Sequence, residues 1–210
     1  MKDSKRLEEI IRRLSQQYPE PKSALRFTTE WELLVATILS AQTTDSHVNK
    51  VTEGLFGKFR AVADYARTPL ETLQREVGSI NFYKTKARNI HAAAKMVMER
   101  YRGKVPRTME ELVTLPGVAR KTANIILWNA YGINEGVAVD THVKRLAGRL
   151  GLTEHDDPVK IEQDLMALAP RERWGELSHL LILHGRTVCH ARQPKHSECV
   201  LFDLCPSRDI

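Results

Sequence analysis

Cysteine is scarce in this chain. Three stand among 210 residues, all between Cys189 and Cys205. An odd number so confined excludes a disulfide framework and points to a metal instead. No apolar run reaches the length of a membrane span, and the opening Met1-Lys2-Asp3-Ser4-Lys5-Arg6 leads into no signal-peptide core. A cytoplasmic protein, nucleoid-associated if bacterial and without a membrane partner, is the expectation. Glycine-serine linkers, internal repeats, low-complexity tracts and convincing strand patterns are missing too. Nothing in the sequence calls for an oligomer, so a monomer is expected.

What is present is helical patterning. A hydrophobic fraction of 42% with 28% charged residues fits a globular chain rather than a disordered one. Leu7, Ile10, Ile11 and Leu14 recur at helical spacing. Trp31 to Ala41 is apolar on most sides and predicts a buried central helix. Thr68-Pro69-Leu70-Glu71 and the pair Thr108 and Glu111 predict capping boxes. Ala87, Ile90, Ala94, Val97, Met98 and Tyr101 mark a long helix ending at Gly103, and Gly132 is read as a helix stop. Asp140 and Asp157 are read as N-caps, and a last helix is expected from about Glu172 to His184, before Gly185. The fold class is all-α.

The formal net charge is +6, which suits a polyanionic partner. Eight Lys or Arg residues and one acid, Glu99, lie between Lys84 and Arg107. Such a run usually marks a solvated helix face. Here it is read as a stripe facing nucleic acid, because of the segment that follows it.

That segment is Leu115-Pro116-Gly117-Val118-Ala119-Arg120-Lys121-Thr122-Ala123-Asn124. A tight Pro-Gly turn opening an amphipathic helix aims backbone N–H groups outward at the positive end of a helix dipole, a device for holding phosphate. Lys121 falls in the first turn of that helix. An amine so placed is biased towards its uncharged form, which is the nucleophile. Asp140 follows nineteen residues later in Val139-Asp140-Thr141-His142. A phosphate cradle beside a nucleophilic amine points to a protein that holds DNA and attacks a sugar.

These segments resemble the endonuclease III family of DNA glycosylases. Leu115 to Asn124 is similar to the family's helix-hairpin-helix motif, placed here at about 108–132, and Val139 to His142 is similar to its catalytic aspartate segment. The similarity runs from Leu39-Ser40-Ala41-Gln42 to the cysteine-rich C-terminus. The resemblance implies a six-helix barrel over residues 23–135, a discontinuous cluster domain from 1–22 and 136–210, and a cleft between them. It implies a bifunctional glycosylase and abasic-site lyase acting on oxidised pyrimidines or abasic sites in double-stranded DNA. Lys121 would attack C1′ and form a Schiff base, with Asp140 stabilising the cationic sugar. Gly117 and Ala119 would offer N–H groups to phosphate. Gln42 would fill the gap left by the flipped nucleotide, Asp45 would line the pocket, and Phe82 would wedge into the base stack. Arg192 and Lys195 would touch the DNA backbone. Where Ala119 stands the family commonly has glycine, and Asn81-Phe82 replaces a Gly-Leu pair. Asn81 is expected to supply the left-handed angles there.

The resemblance also implies a [4Fe-4S] cluster. Cys189, Cys199 and Cys205 fall on three of four family ligand positions, and His196 occupies the remaining one with the spacing kept. Imidazole replaces thiolate on iron in Rieske centres. Three cysteines and a histidine also suit tetrahedral zinc, which ranks second. Two rival functions are a mismatch-type glycosylase, whose members usually lack a lysine at the place of Lys121, and a non-enzymatic helix-hairpin-helix DNA-binding module. Lys121, and the absence of a glutamate between Leu39 and Asp45 where the adenine-removing type carries one, argue against the first, and Lys121 together with Asp140 argues against the second.

Overall fold

The computed structural model describes residues 2–208. Met1, Asp209 and Ile210, at the expected ends of the cluster domain, lie outside the described residues. The helices are α1 (Lys2–Gln17), α2 (Glu30–Ser40), α3 (Asp45–Lys58), α4 (Val62–Arg67), α5 (Leu70–Glu76), α6 (Tyr83–Tyr101), α7 (Met109–Leu112), α8 (Arg120–Tyr131), α9 (Thr141–Arg149), α10 (Pro158–Leu168) and α11 (Trp174–Thr187). Among the described residues there is no strand, and no helix is long and apolar enough to cross a membrane. The chain divides into two compact units, residues 23–132 and residues up to 22 joined with 133 onward. The second boundary lies three residues before the expected 135, where Gly132 at φ 67° ends α8.

The unit 23–132 is built around α2. Thr29 starts this helix by accepting the Glu32 amide at 3.1 Å, relieving one of the amides a helix start leaves unpaired. Trp31 and every residue from Leu33 to Leu39 are buried, and α3, α6 and α8 pack around them. The long α6 turns Lys86, Ala87, Ile90, Ala93, Ala94 and Val97 inward and carries α4 and α5 against its side.

The other unit gathers α1 and α9–α11. Leu7, Ile10, Ile11 and Leu14 of α1 join Val143, Leu146, Leu177, Leu180 and Leu181 in one apolar core. Cys189, Cys199 and Cys205 pack partly buried against it.

Three local expectations are corrected. Thr68 does not cap α5: its hydroxyl donates to the Asp64 carbonyl at 2.7 Å and closes α4, so Pro69 takes the cap position with no side-chain acceptor. The short α4 escaped the periodicity reading, and its signal is Asp64, whose Oδ2 accepts both the Arg60 and Ala61 amides at 2.9 Å. Gly185 does not stop a helix. It lies inside α11, and a Cβ there would come 3.0 Å from the His142 Cβ, so glycine is what lets α9 and α11 approach.

Tyr65 is fully buried between Trp31 and Phe59, each ring 5.4 Å away, and burial pushes its phenol well up. Its hydroxyl has no hydrogen-bond partner among the described residues. An orphaned buried hydroxyl contributes a desolvation cost and no bond. Tyr65→Phe is therefore expected to keep or raise the melting temperature, by the equivalent of about 1 kcal/mol at most. A clear fall in thermal denaturation would mean that a bound water satisfies the hydroxyl.

Candidate DNA and metal sites

Within the unit 23–132, α7 is a single turn started by Thr108, which accepts the Glu111 amide at 3.3 Å. Leu115 and Val118 bury their side chains, and the Val118 amide donates to the Leu115 carbonyl at 3.0 Å. Gly117 at the exposed apex has φ +83°, and a Cβ on it would lie 3.0 Å from the Asn89 side chain. Both the backbone angle and the space demand glycine here.

Ala119 has φ −96° and ψ 171°, extended backbone that alanine adopts without strain. The replacement of glycine at this position leaves the turn intact. Ala119 is also the N-cap of α8 and has no side-chain acceptor. The helices α2, α3, α7, α9 and α10 each begin with a Thr or Asp that binds their first amides. Like α5, α6 and α11, α8 has no side-chain cap, and its opening turn carries Arg120 and Lys121 exposed upon it. Amides at such an end, with the dipole behind them, suit an oxyanion.

A second exposed feature of this unit joins two loops. Gln42 follows α2 at φ 54°, and Phe82 precedes α6 at φ 57°. Left-handed angles cost a non-glycine residue about 1–2 kcal/mol. Phe82 is 66% exposed, which removes the reading of a core aromatic. The left-handed angles belong to Phe82 rather than to Asn81 as expected, because Asn81 is otherwise engaged: its Nδ2 donates to the Gln42 carbonyl at 2.7 Å. Thr44 is the N-cap of α3, so Asp45 is its first helical residue, half-buried.

Lys86 is the residue that sequence reasoning placed wrongly. It was counted in the basic run from Lys84 to Arg107, yet it is 5% exposed. Its Nζ donates to the carbonyls of Leu39 at 2.8 Å and Ala41 at 2.5 Å and to the Thr43 hydroxyl at 3.2 Å. Burial draws its pKa below the ordinary lysine range. The signal was available in the sequence: Lys86 shares the spacing of Ile90, Ala93 and Val97 on the inward face of α6. Lys84, Arg88 and Lys95 remain on the exposed side.

In the other unit, Asp140 caps α9. Its Oδ1 accepts the His142 and Val143 amides, each at 2.8 Å, and Oδ2 takes part in neither bond. Farther along the same helix, Arg145 Nη2 donates to the carbonyls of Gly185 at 2.9 Å and Cys189 at 3.0 Å. Arg149 Nη1 reaches the Cys189 sulfur at 3.2 Å and the His190 carbonyl at 2.7 Å, and its Nη2 reaches the Ala191 carbonyl at 2.7 Å. The first cysteine and the loop after it are thus gripped from α9. Lys121 and Asp140 belong to different units.

Cys189, His196, Cys199 and Cys205 line one small cavity of about 20 Å³. The three thiols are free of disulfides and half-buried. Burial raises the thiol pKa of Cys199 and Cys205, and the neighbouring sulfurs raise it further. Such a set calls for a cation to hold it as thiolates. Among the described residues no three of these donors form a compact single-ion group. Donors spread around a cavity suit a multi-atom iron–sulfur cluster better than one tetrahedral zinc. Cys199 Sγ also lies 3.5 Å from Nε2 of the buried His184. Arg192 is exposed, and Lys195 is paired with Glu198 at 3.3 Å.

Residues 35–171 match the model of the HhH-GPD superfamily of base excision DNA repair proteins, and residues 189–205 match the iron-sulfur binding domain of endonuclease III. Endonuclease III of Synechocystis sp. is 50% identical over 202 residues, 96% of this chain and 92% of that protein. Endonuclease III of Bacillus subtilis is 43% identical over 206 residues, 98% of this chain and 94% of that one. A solved structure of a trapped endonuclease III–DNA covalent intermediate aligns with a TM-score of 0.92 at 40% identity, covering 98% of this chain and 96% of its own.

Proposed function

The chain belongs to the endonuclease III family of base excision repair DNA glycosylases with abasic-site lyase activity, and we propose that it removes oxidised pyrimidines from duplex DNA with Lys121 as nucleophile and Asp140 as its acidic partner. The observation that carries this reading is the start of α8: a helix end without a side-chain cap, opened by Gly117, with Lys121 exposed in its first turn.

The chemistry follows from those groups. Phosphate docks on the amides of the α8 start, beside Gly117 and Ala119, and sets the register of the strand. The Lys121 Nζ lone pair forms a bond to C1′ as the base departs with the glycosidic electron pair. The aminal opens to an imine, and the imine makes the C2′ proton acidic. Loss of that proton expels the 3′ phosphate by β-elimination. The Asp140 carboxylate balances the positive charge that grows on the sugar as the base leaves, and it takes a proton from the lysine ammonium. Its cap bonds fix the carboxyl plane and use only Oδ1.

Duplex DNA must surrender its target base before this can occur, and unstacking costs a few kcal/mol. Gln42 and Phe82 are the exposed side chains suited to offset that cost. The amide of Gln42 can bond the orphaned base, and the Phe82 ring can enter the adjoining step. Asp45 is assigned to the pocket that receives the lesion, and Arg192 and Lys195 to phosphates of the flanking backbone.

The iron–sulfur domain falls to the cysteine loop. Cys189, Cys199 and Cys205 would hold a [4Fe-4S] cluster with His196 as fourth ligand, in keeping with the one cavity all four line. The bound cluster supplies a folded, rigid loop rather than a reactant. A histidine ligand leaves the site less negative than four thiolates would.

Lys121→Gln is expected to abolish both strand cleavage and borohydride trapping of a covalent DNA adduct, while gel-shift affinity for duplex survives. Undiminished trapping would remove Lys121 from the role. Asp140→Asn should keep the α9 cap, since asparagine also caps, but lose about a hundredfold or more in single-turnover base release. Near-normal release would leave Asp140 as a structural cap. His196→Cys, with the cluster loaded, should be reduced at a lower potential than the unaltered protein and keep its visible absorbance to lower pH, because imidazole is protonated once it dissociates. Equal potentials and equal acid stability would show that His196 is no ligand.

A further inference from the structure

The side chain of Lys86 is buried beside the two loops that carry Gln42 and Phe82, both exposed and both left-handed. Its ammonium lies at the C-terminal end of α2, where the last carbonyls of a helix lack intrahelical partners and the dipole is negative. Lys86 fills all three of its donor positions there, with the carbonyls of Leu39 and Ala41 and the hydroxyl of Thr43. Ala41 and Thr43 are the residues on either side of Gln42. The same lysine's backbone amide donates to the Phe82 carbonyl at 3.1 Å. Lys86 therefore holds both neighbours of Gln42 with its side chain, while its main-chain bond to Phe82 is the opening bond of α6, which any residue at this position would make. Asn81 adds a cross-tie to the Gln42 carbonyl at 2.7 Å, and His47 Nε2 stands 3.0 Å from the Ser79 carbonyl between the same two loops.

Left alone, Gln42 and Phe82 would relax from left-handed angles to the ordinary regions of the backbone map. Strain of this kind persists only where the surroundings over-determine it. Here the surroundings are one buried ammonium and one amide. A surface lysine could make no such bonds without competition from water. Apolar neighbours on the inner face of α6 exclude water from this one.

We propose that Lys86, with Asn81, is a positioning residue that locks the backbone of Gln42 and Phe82 in the conformations needed to enter duplex DNA, so that insertion is prepaid in the free protein rather than reached after contact. This rests on the reading of Gln42 and Phe82 as the residues that enter the duplex.

The test is a mutant cycle on the full-length, cluster-loaded protein. Base release is measured at saturating enzyme on a duplex carrying one thymine glycol, and a 2-aminopurine beside the lesion reports unstacking by its fluorescence. Lys86→Met should slow base release by about tenfold or more and weaken the fluorescence rise, as misplaced groups do. In a background of Gln42→Ala with Phe82→Ala, Lys86→Met should change the rate by less than about twofold, because residues acting through one another are not additive. The same factor in both backgrounds would overturn the proposal and leave Lys86 a general stabiliser. Full activity and full unstacking in the Gln42→Ala, Phe82→Ala protein would instead overturn the assignment of those two side chains, a failure visible before Lys86 is altered. If Lys86→Met does not fold, the exposed Asn81→Ala replaces it in the same cycle, with the same non-additivity expected and simple additivity again fatal.

Discussion

A helix buried on all sides cannot leave its last carbonyls to water. That constraint governs the unit 23–132. α2 is buried at Trp31 and from Leu33 to Leu39, and its C-terminal end must still meet hydrogen-bond donors. The donor comes from α6 as a lysine ammonium, an expensive group to bury and one that needs every acceptor it can reach. Once that ammonium is in place, the chain leaving α2 and the chain entering α6 are fixed against each other. The exposed Gln42 and Phe82 then owe their backbone angles to packing at the centre of the unit. Core packing and the exposed surface at Gln42 and Phe82 are one problem here, solved by the same side chain.

The other unit shows a comparable economy in α9. Its first residue position is set by Asp140, and its later turns carry Arg145 and Arg149 into the cysteine loop. The carboxylate and the loop sit at two ends of a short helix whose other face is buried against α11 across Gly185. A glycine at that crossing is a packing requirement, and the loop's donors reach their cavity through bonds made by the same helix.

Much of this was legible in the sequence. Patterns of apolar residues located α1, α2 and α6, because burial of a helix face repeats at a fixed spacing. Thr108, Asp140 and Asp157 were read as caps and are caps, since a cap depends on a few neighbouring residues. The misreadings have a common cause, an interaction with a partner far away in sequence. Gly185 looked like a stop because its neighbour, His142, lies forty-three residues earlier. Asn81 looked like the left-handed residue because asparagine takes those angles more readily than most residues, but its amide was committed to Gln42. Lys86 looked like one cation among eight because its acceptors belong to another helix. At the α8 start the motif was clearer than its conformation. Lys121 and Gly117 announced themselves through a local motif, whereas the extended backbone that makes Ala119 harmless did not.

The missing cap on α8 has a thermodynamic side. Thr and Asp at other helix starts give those helices a bonding partner that is present whenever the protein is folded. On the reading proposed above, the partner of the α8 start would be a phosphate of DNA, which would complete an element of the protein's own secondary structure. By linkage, a ligand that binds only the folded chain stabilises it with the logarithm of its concentration, so on that reading the melting temperature would be partly a property of the surroundings, rising with duplex and falling back as salt displaces the phosphate.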